Sequence, residues 1–408
     1  MKKQLLTAAI LCCFVIAGST AAPKSAKKKP KIPVSRVQTH MDGYLGDRID
    51  ACIRVRVCSE DPDLLVAPMR RQTETSLWQS EFWGKWTLGA IASYRYNKDP
   101  ELLRKIEGGV ESLLAAQQPD GYIGNYAPEA QLTNWDVWGR KYTMLGLLAY
   151  YDLTGDKKAL DGAVRLADHL LTQIPAVRQI ERTGIYRGMS SCSILEPIML
   201  LYNRTLDEKY LDFARYIVDR MESADGPQLI AKALDGVPVS ERFPLDDPSR
   251  GWFVWENGQK AYEMMSCYDG LLELYKVTND PRYLKAVEAT VTSIIADEIN
   301  IAGSGSSFEC FYKGKALQTE PAYHTMETCV TMTWMKLCYD LLRLTRNPLY
   351  ADQIERSAYN ALAASMKEDA SQIAKYSPLE GARSAGEEQC GMHVNCCNMN
   401  GPRAFALL

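Results

Sequence analysis

Apolar residues recur along this chain at helical spacing, in segments that come in pairs. Near 334, Trp334, Leu337, Cys338, Leu341 and Leu342 fall on one face, and in 262–276 Met265, Tyr268, Leu272 and Tyr275 do the same. A polar turn of one type separates the paired segments. It reads Asn97-Lys98-Asp99-Pro100, Thr154-Gly155-Asp156-Lys157, Thr205-Leu206-Asp207-Glu208, Thr278-Asn279-Asp280-Pro281 and Thr345-Arg346-Asn347-Pro348, with a fainter copy at Asp61-Pro62. Asp or Asn is expected to cap the second helix of each pair, Pro fits its first position, and Thr and Gly close the first helix. Single hairpins of this kind cannot bury their apolar faces, so five or six must stack. The intervals between caps are uneven, which favours a closed, all-α (α/α) barrel with long loops round one mouth over an open solenoid.

Those long loops carry many of the aromatic residues. They include Gln118 to Tyr126, Asn134-Trp135-Asp136-Val137-Trp138, and Asp246 to Trp255 with Trp252 and Trp255. Trp and Tyr at a cavity mouth stack on the apolar faces of sugars, and acids beside them bind hydroxyls; for any single tryptophan, core packing is the plainer account. Trp135, Asp136 and Trp255 are therefore candidate carbohydrate contacts.

Composition narrows the classes. With 408 residues, 46% hydrophobic and 24% charged, the chain can bury a large core and is not disordered. Residues 1–22 read as a secretory signal: Lys2 and Lys3, an apolar run from Leu5 to Ala17 too short to span a bilayer, then Ser19-Thr20-Ala21-Ala22. This implies a secreted or periplasmic protein without a transmembrane segment. Residues 23–40 form a basic, Lys/Pro-rich tether, and 41–408 the barrel. Setting aside the eight basic residues before Asp42 leaves 39 basic against 50 acidic residues, which argues against a nucleic-acid partner.

An exported chain must account for its thiols. Ten cysteines lie beyond the leader, in no small disulfide pattern. Three gather near the end, in Gln389-Cys390-Gly391-Met392-His393-Val394-Asn395-Cys396-Cys397, a stretch that reads as a loop; Cys329 stands far upstream in Glu327-Thr328-Cys329. Thiolates and a carboxylate from two distant segments suit a four-coordinate zinc site. A disulfide and inert burial are the competing accounts. The run Gly303-Ser304-Gly305-Ser306-Ser307-Phe308-Glu309 reads as a flexible segment ending on an acid between aromatics, whose carboxyl desolvation would raise toward general-acid range. No phosphate-binding glycine loop, Ser-His-Asp order or His-x-x-x-His pair occurs. With four histidines a His-rich metal site is excluded; His324 and His393, beside the cysteine segments, are candidates to support the metal ligands.

These motifs together resemble glycoside hydrolase family 127, the β-L-arabinofuranosidase-like enzymes. The family's Glu-Thr-Cys segment matches Glu327-Thr328-Cys329, its Cys-Cys pair followed by Asn and Arg matches Cys396-Cys397 with Asn400 and Arg403, and its Gly-Ser start before a Glu and a Phe matches Gly303-Ser304, Glu309 and Phe311. The resemblance implies an (α/α)6 barrel with β-rich accessory domains. It further implies Zn²⁺ held by Glu327, Cys329, Cys396 and Cys397, with Cys396 as nucleophile and Glu309 as acid/base. Family sugar-binding histidines align with Trp135, Ser191 and Lys260, so the pocket departs from the pattern and Lys260 hints at an acidic sugar. Lys260, His324 and Arg403 join Trp135, Asp136 and Trp255 as expected substrate contacts. The 408 residues stop before the β-domains that the resemblance implies, so the sequence is expected to be a fragment, rather than a truncated member, whose barrel stops short. The leading expectation is a secreted, zinc-dependent retaining glycosidase acting on side-chain sugars of a polysaccharide. Other readings are a non-catalytic glycan-binding toroid with structural cysteines, or an epimerase or lyase on the same barrel.

Overall fold

In the computed structural model, which describes residues 39–243, 259–318, 320, 324–386 and 388–408, each polar turn read from the sequence opens a helix. The side chains of Asp61, Asp99, Asp156, Asp207, Asp280 and Asn347 each accept from the backbone N–H two residues on, at 2.9–3.2 Å. Thr154, Thr205, Thr278 and Thr345 bond back to the carbonyl four residues earlier and accept from the cap residue's own N–H. Cap and closing threonine thus lock four of the hairpin turns from both sides, and in the turn at 97–100 Asn97 Oδ1 accepts from the Asp99 N–H at 3.0 Å. The left-handed residue that ends the first helix is a glycine at 155 alone; Lys98, Leu206, Asn279 and Arg346 hold it elsewhere, with φ near +55 to +61°. Leu206 is 65% exposed, so nothing crowds its side chain there.

In chain order the elements are α1 (Gly43–Cys52), which runs on into a π-helical turn (Ile53–Val57), α2 (Pro62–Arg71), and the hairpins α3 (Ser80–Asn97) with α4 (Pro100–Ala115) and α5 (Asp136–Thr154) with α6 (Lys157–Gln173). Short α7 (Met189–Cys192) precedes the hairpin α8 (Leu195–Thr205) with α9 (Glu208–Met221), and short α10 (Leu229–Leu234) follows it. Then come α11 (Ala261–Thr278) with α12 (Pro281–Asp297), α13 (Thr328–Thr345) with α14 (Pro348–Ser357), short α15 (Ala363–Ser365), and α16 (Cys396–Leu407). Among the described residues there are isolated β-bridges and no sheet.

The first helix of each hairpin faces inward. α3 packs on α5, α5 on α8, α8 on α11, α11 on α13, α13 on α16, and α16 returns to α3, so six inner helices close a ring. α1 and its π-helical turn lie against α16. Inner helices are wrapped by neighbours: every residue of α11 from Ala261 to Leu272 is buried, polar ones included. The outer helices α4, α6, α9, α12 and α14 bury one stripe each, as their periodicity predicts. The architecture is the all-α toroid expected.

The leader (1–22), nearly all of the tether (23–40), and Trp252 and Trp255 lie outside the described residues. The cysteine-rich stretch differs from its reading as a loop. Residues 389–395 are irregular, but Asn395 caps α16 by accepting from the Asn398 N–H at 2.9 Å, so Cys396 and Cys397 are its first two residues. Asn is a strong N-cap, and here it outweighs the loop-forming composition around it.

Candidate active site and metal cluster

Two helix starts meet at one end of the ring. Glu327 immediately precedes α13 and Cys329 is its second residue, while Cys396 and Cys397 open α16. One ligand atom from each of these four buried residues lies within 4.8 Å of the others. Sγ of Cys329 stands 3.4 Å from Sγ of Cys397, Cys396 and Cys397 are 3.9 Å apart, and Glu327 Oε1 is 3.7 and 3.5 Å from those two sulfurs. Thiolates ~2.3 Å from a tetrahedral ion would be roughly 3.8 Å apart, so the donor set fits a metal ion. Glu327 Oε2 is buried without a hydrogen-bond partner among the described residues, as expected of a carboxylate whose partner is an ion. Every described cysteine is free, and the cluster's geometry favours the metal account over the disulfide one.

The thiols are not equivalent. Cys329 and Cys397 are fully buried, whereas Cys396 is 8% exposed and borders the main cavity. Hydrogen bonds from Cys329 and Cys397, aided by the Lys85 and Lys375 ammonium groups, outweigh burial and hold the Cys396 thiol well below its usual range. Burial pushes the other two up. Gln389 accepts from the Cys396 N–H at 2.9 Å and fixes the start of α16.

Glu309 arrives on a two-residue turn. Ser307 and Cys310 exchange backbone hydrogen bonds at 2.9 and 2.8 Å, and the two central residues, Phe308 and Glu309, have φ of +49° and +66°. Both positions favour Asn or Gly, so a Phe-Glu pair here is strained, as functional residues often are. The strand-like edge is pinned to the base of α11 by Ala261 N–H to Glu309 O at 2.8 Å and Phe311 N–H to Gln259 O at 2.9 Å. The Gly303–Ser307 run is accordingly buried and anchored, with Ser304 Oγ 2.7 Å from Thr331 Oγ1, rather than flexible.

Glu309 also departs from the expected raised pKa. Burial does favour its neutral form, but Lys260 at 3.0 Å and Lys375 at 3.2 Å prevail and hold the carboxyl below the usual range, with Tyr376 Oη donating at 3.2 Å. Lys260 is buried and its charge is met by Glu309, so it is no free mark of an acidic sugar.

These groups surround a cavity of about 360 Å³, the size of a small-molecule site. Trp78, Trp135, Trp138, Tyr186 and Tyr262 form an aromatic wall, with Trp135 set edge-on to Trp78 and Trp138 at 5.8 Å each. Opposite charges complete the lining: Glu81 with Lys85 at 2.6 Å, and Glu309 with its two lysines. Burial and the nearby Glu309 and Glu81 lift Glu263, also in the wall, to about 7 against the pull of Lys260.

Of the expected sugar contacts, Trp135 and Lys260 border this cavity and three others do not. Asp136 is buried in a structural bracket, accepting from Tyr122 Oη at 2.8 Å and the Leu132 N–H at 2.8 Å and pairing with Arg140 at 2.6 Å. Its position in the first turn of α5 turns it away from the side that Trp135 faces. Arg403 lies behind the wall, donating to Asn400 Oδ1 at 2.8 Å, with its guanidinium over the Tyr142 ring; Asn400 in turn donates to the Tyr262 hydroxyl at 3.3 Å. These two matched residues support a wall aromatic rather than touching a ligand. His324 packs edge-on between Phe308 and Tyr376, at 4.7 and 4.8 Å, and His393 pairs with Glu60 at 2.7 Å. Sequence reasoning missed Glu81, Lys85, Tyr262, Glu263 and Lys375. The signal for Glu81, Lys85 and Glu263 was charge within a stretch otherwise reading as core; Lys375 carried none.

Comparison with known proteins agrees with this geometry. The family description "Beta-L-arabinofuranosidase, GH127 catalytic domain" matches residues 38–408. A non-reducing end β-L-arabinofuranosidase from Bifidobacterium longum subsp. longum is 22% identical over 322 residues, 72% of this chain and 47% of that protein. The chain thus spans about half the length of that curated relative. A GH127 β-L-arabinofuranosidase from Geobacillus stearothermophilus T6 superposes with a TM-score of 0.66 at 20% identity, covering 90% of this chain and 64% of that one. A GH76 α-mannanase from Bacteroides thetaiotaomicron shares the toroid at a TM-score of 0.54 and 12% identity, over 86% of this chain and 94% of its own.

Proposed function

We propose that this chain, which belongs to the GH127 β-L-arabinofuranosidase catalytic-domain family, acts as a zinc-dependent retaining glycoside hydrolase removing a terminal sugar such as β-L-arabinofuranose from a glycan. The observation that carries the reading is that Cys396, alone of the three clustered thiols, borders the cavity that Glu309 also lines. We place the work outside the cytoplasm, on the leader read at residues 1–22.

When bound, zinc supplies the positive charge that keeps cysteine ligands as thiolates at neutral pH. The sugar ring lies along the aromatic wall, with Trp135 and Tyr186 excluding water from one face. Cys396 Sγ donates its electron pair to the anomeric carbon while the bond to the leaving oxygen breaks and that oxygen takes a proton from Glu309. Glu309, now a carboxylate, removes a proton from water; the water oxygen bonds to the anomeric carbon, the C–S bond breaks, and two inversions give net retention. Lys260 and Lys375 keep Glu309 ionised in the sugar-free cavity, which suits the base half. The acid half requires the bound glycoside to draw one ammonium away so that Glu309 takes up its proton.

The test is hydrolysis of an aryl-glycoside panel by purified protein, with and without chelator, with metal analysis and NMR of the first-formed anomer. The expected result is about one zinc per chain, chelator-sensitive turnover, and retained configuration. Metal-free active protein or an inverted product would overturn the mechanism; sugar binding without turnover would favour a lectin-like toroid.

A further inference from the structure

Four carboxylates border the cavity, and three of them have side-chain partners. Glu81 is held by Lys85 Nζ at 2.6 Å and by the Trp138 indole N–H. Glu309 is held by Lys260, Lys375 and Tyr376. Glu327 faces the thiols, where a metal ion fits. Glu263 differs. The residue is 4% exposed, it lines the cavity, and its Oε2 is buried with no hydrogen-bond partner among the described residues. It sits in the first turn of α11, one turn on from Lys260 and so on the same face.

A buried carboxyl oxygen without a partner is destabilising, and one belonging to a side chain at a cavity wall calls for an account that a bound hydroxyl can supply. Rotation about the last side-chain bond is soft, so the carboxyl can reorient to present an oxygen to a hydroxyl in the cavity. Lys260 beside it adds a donor, and carboxyl and ammonium side by side can bracket neighbouring hydroxyls of one ring. We propose that Glu263 is a specificity-determining residue that hydrogen-bonds one hydroxyl of the sugar ring bound in the cavity. The inference rests on the glycosidase reading above and deepens it.

The experiment uses 4-nitrophenyl β-L-arabinofuranoside and its 2-, 3- and 5-deoxy analogues with wild type, Glu263→Ala and Glu263→Gln, at matched zinc content. Glu263→Ala should lower kcat/KM on the full sugar by at least ~100-fold, since an unpaired hydroxyl in a buried site is strongly rejected. Glu263→Gln, which can still bond a hydroxyl, should stay within about 10-fold of wild type. One deoxy analogue should react alike with wild type and Glu263→Ala, because the contact is already missing. Equal losses on every analogue, or no loss on the full sugar, overturn the proposal. If Glu263→Ala does not fold, Glu263→Met keeps the volume and takes its place. If wild type cleaves none of the glycosides, calorimetry with free L-arabinose decides: weaker binding by Glu263→Ala than by wild type sustains this contact while the hydrolase reading falls, and no binding by wild type overturns both.

Discussion

Replacing Cys396 by serine removes the thiol that borders the cavity and leaves side-chain volume almost unchanged, whereas Cys329→Ser alters a fully buried member of the same cluster. The two losses differ in kind. A nucleophile's removal costs on the order of 10⁴–10⁶ in kcat where catalysis is covalent, or about 5–8 kcal/mol of barrier. Cys329 is fully buried outside the cavity lining, so on the proposed mechanism its replacement would act through the bound metal. Structural zinc sites bind with ~10–16 kcal/mol, so one ligand of four contributes about 3 kcal/mol, roughly a hundredfold in metal affinity. Turnover of an aryl glycoside, measured across a range of free zinc, separates the two: Cys329→Ser should recover at high zinc and Cys396→Ser should not. An epoxide-bearing sugar should add its mass to Cys396 in the wild type, read by fragmentation of the peptide spanning residues 384–403. Near-normal turnover by folded, zinc-loaded Cys396→Ser would refute sulfur as the nucleophile, and mass added to Cys397 would reassign it.

Glu309→Gln should lose most activity on poor leaving groups and much less on activated aryl glycosides; equal losses would reduce Glu309 to a binding role. Lys260→Met removes a cation that favours the Glu309 carboxylate, so the pKa of Glu309 rises and its acid form persists to higher pH. The alkaline fall of kcat/KM on poor leaving groups should therefore move upward in a pH profile, and an unmoved limb would separate Lys260 from the proton of Glu309. Asp136→Ala leaves Arg140 buried without its carboxylate, and urea unfolding should report a loss of about 3–5 kcal/mol while KM on an aryl glycoside barely changes. A raised KM with stability intact would return Asp136 to the sugar site.

What the chain specifies locally was legible. Asp99, Asp156, Asp207, Asp280 and Asn347 act on N–H groups two residues away, so a few adjacent letters contain the whole interaction, and the hairpins they punctuate follow. The cluster was legible too, because Glu327, Cys329, Cys396 and Cys397 sit in two short motifs that the family resemblance pairs, and the fold brings these four together where they could hold a metal ion. Closing the ring decided the rest. Which thiol meets the cavity depends on how α16 lies between α13 and α3. The charge state of Glu309 depends on Lys260 and Lys375, brought from elements far apart in the chain, and a reading that saw its aromatic neighbours without those lysines reached the wrong direction. Asp136 and Trp135 are adjacent letters with opposite fates, since successive residues at a helix start point to different sides. Capping is decided by the backbone within reach of one side chain; exposure, ion pairing and the facing of a cavity are decided by whatever the fold packs alongside, and no window of sequence contains that.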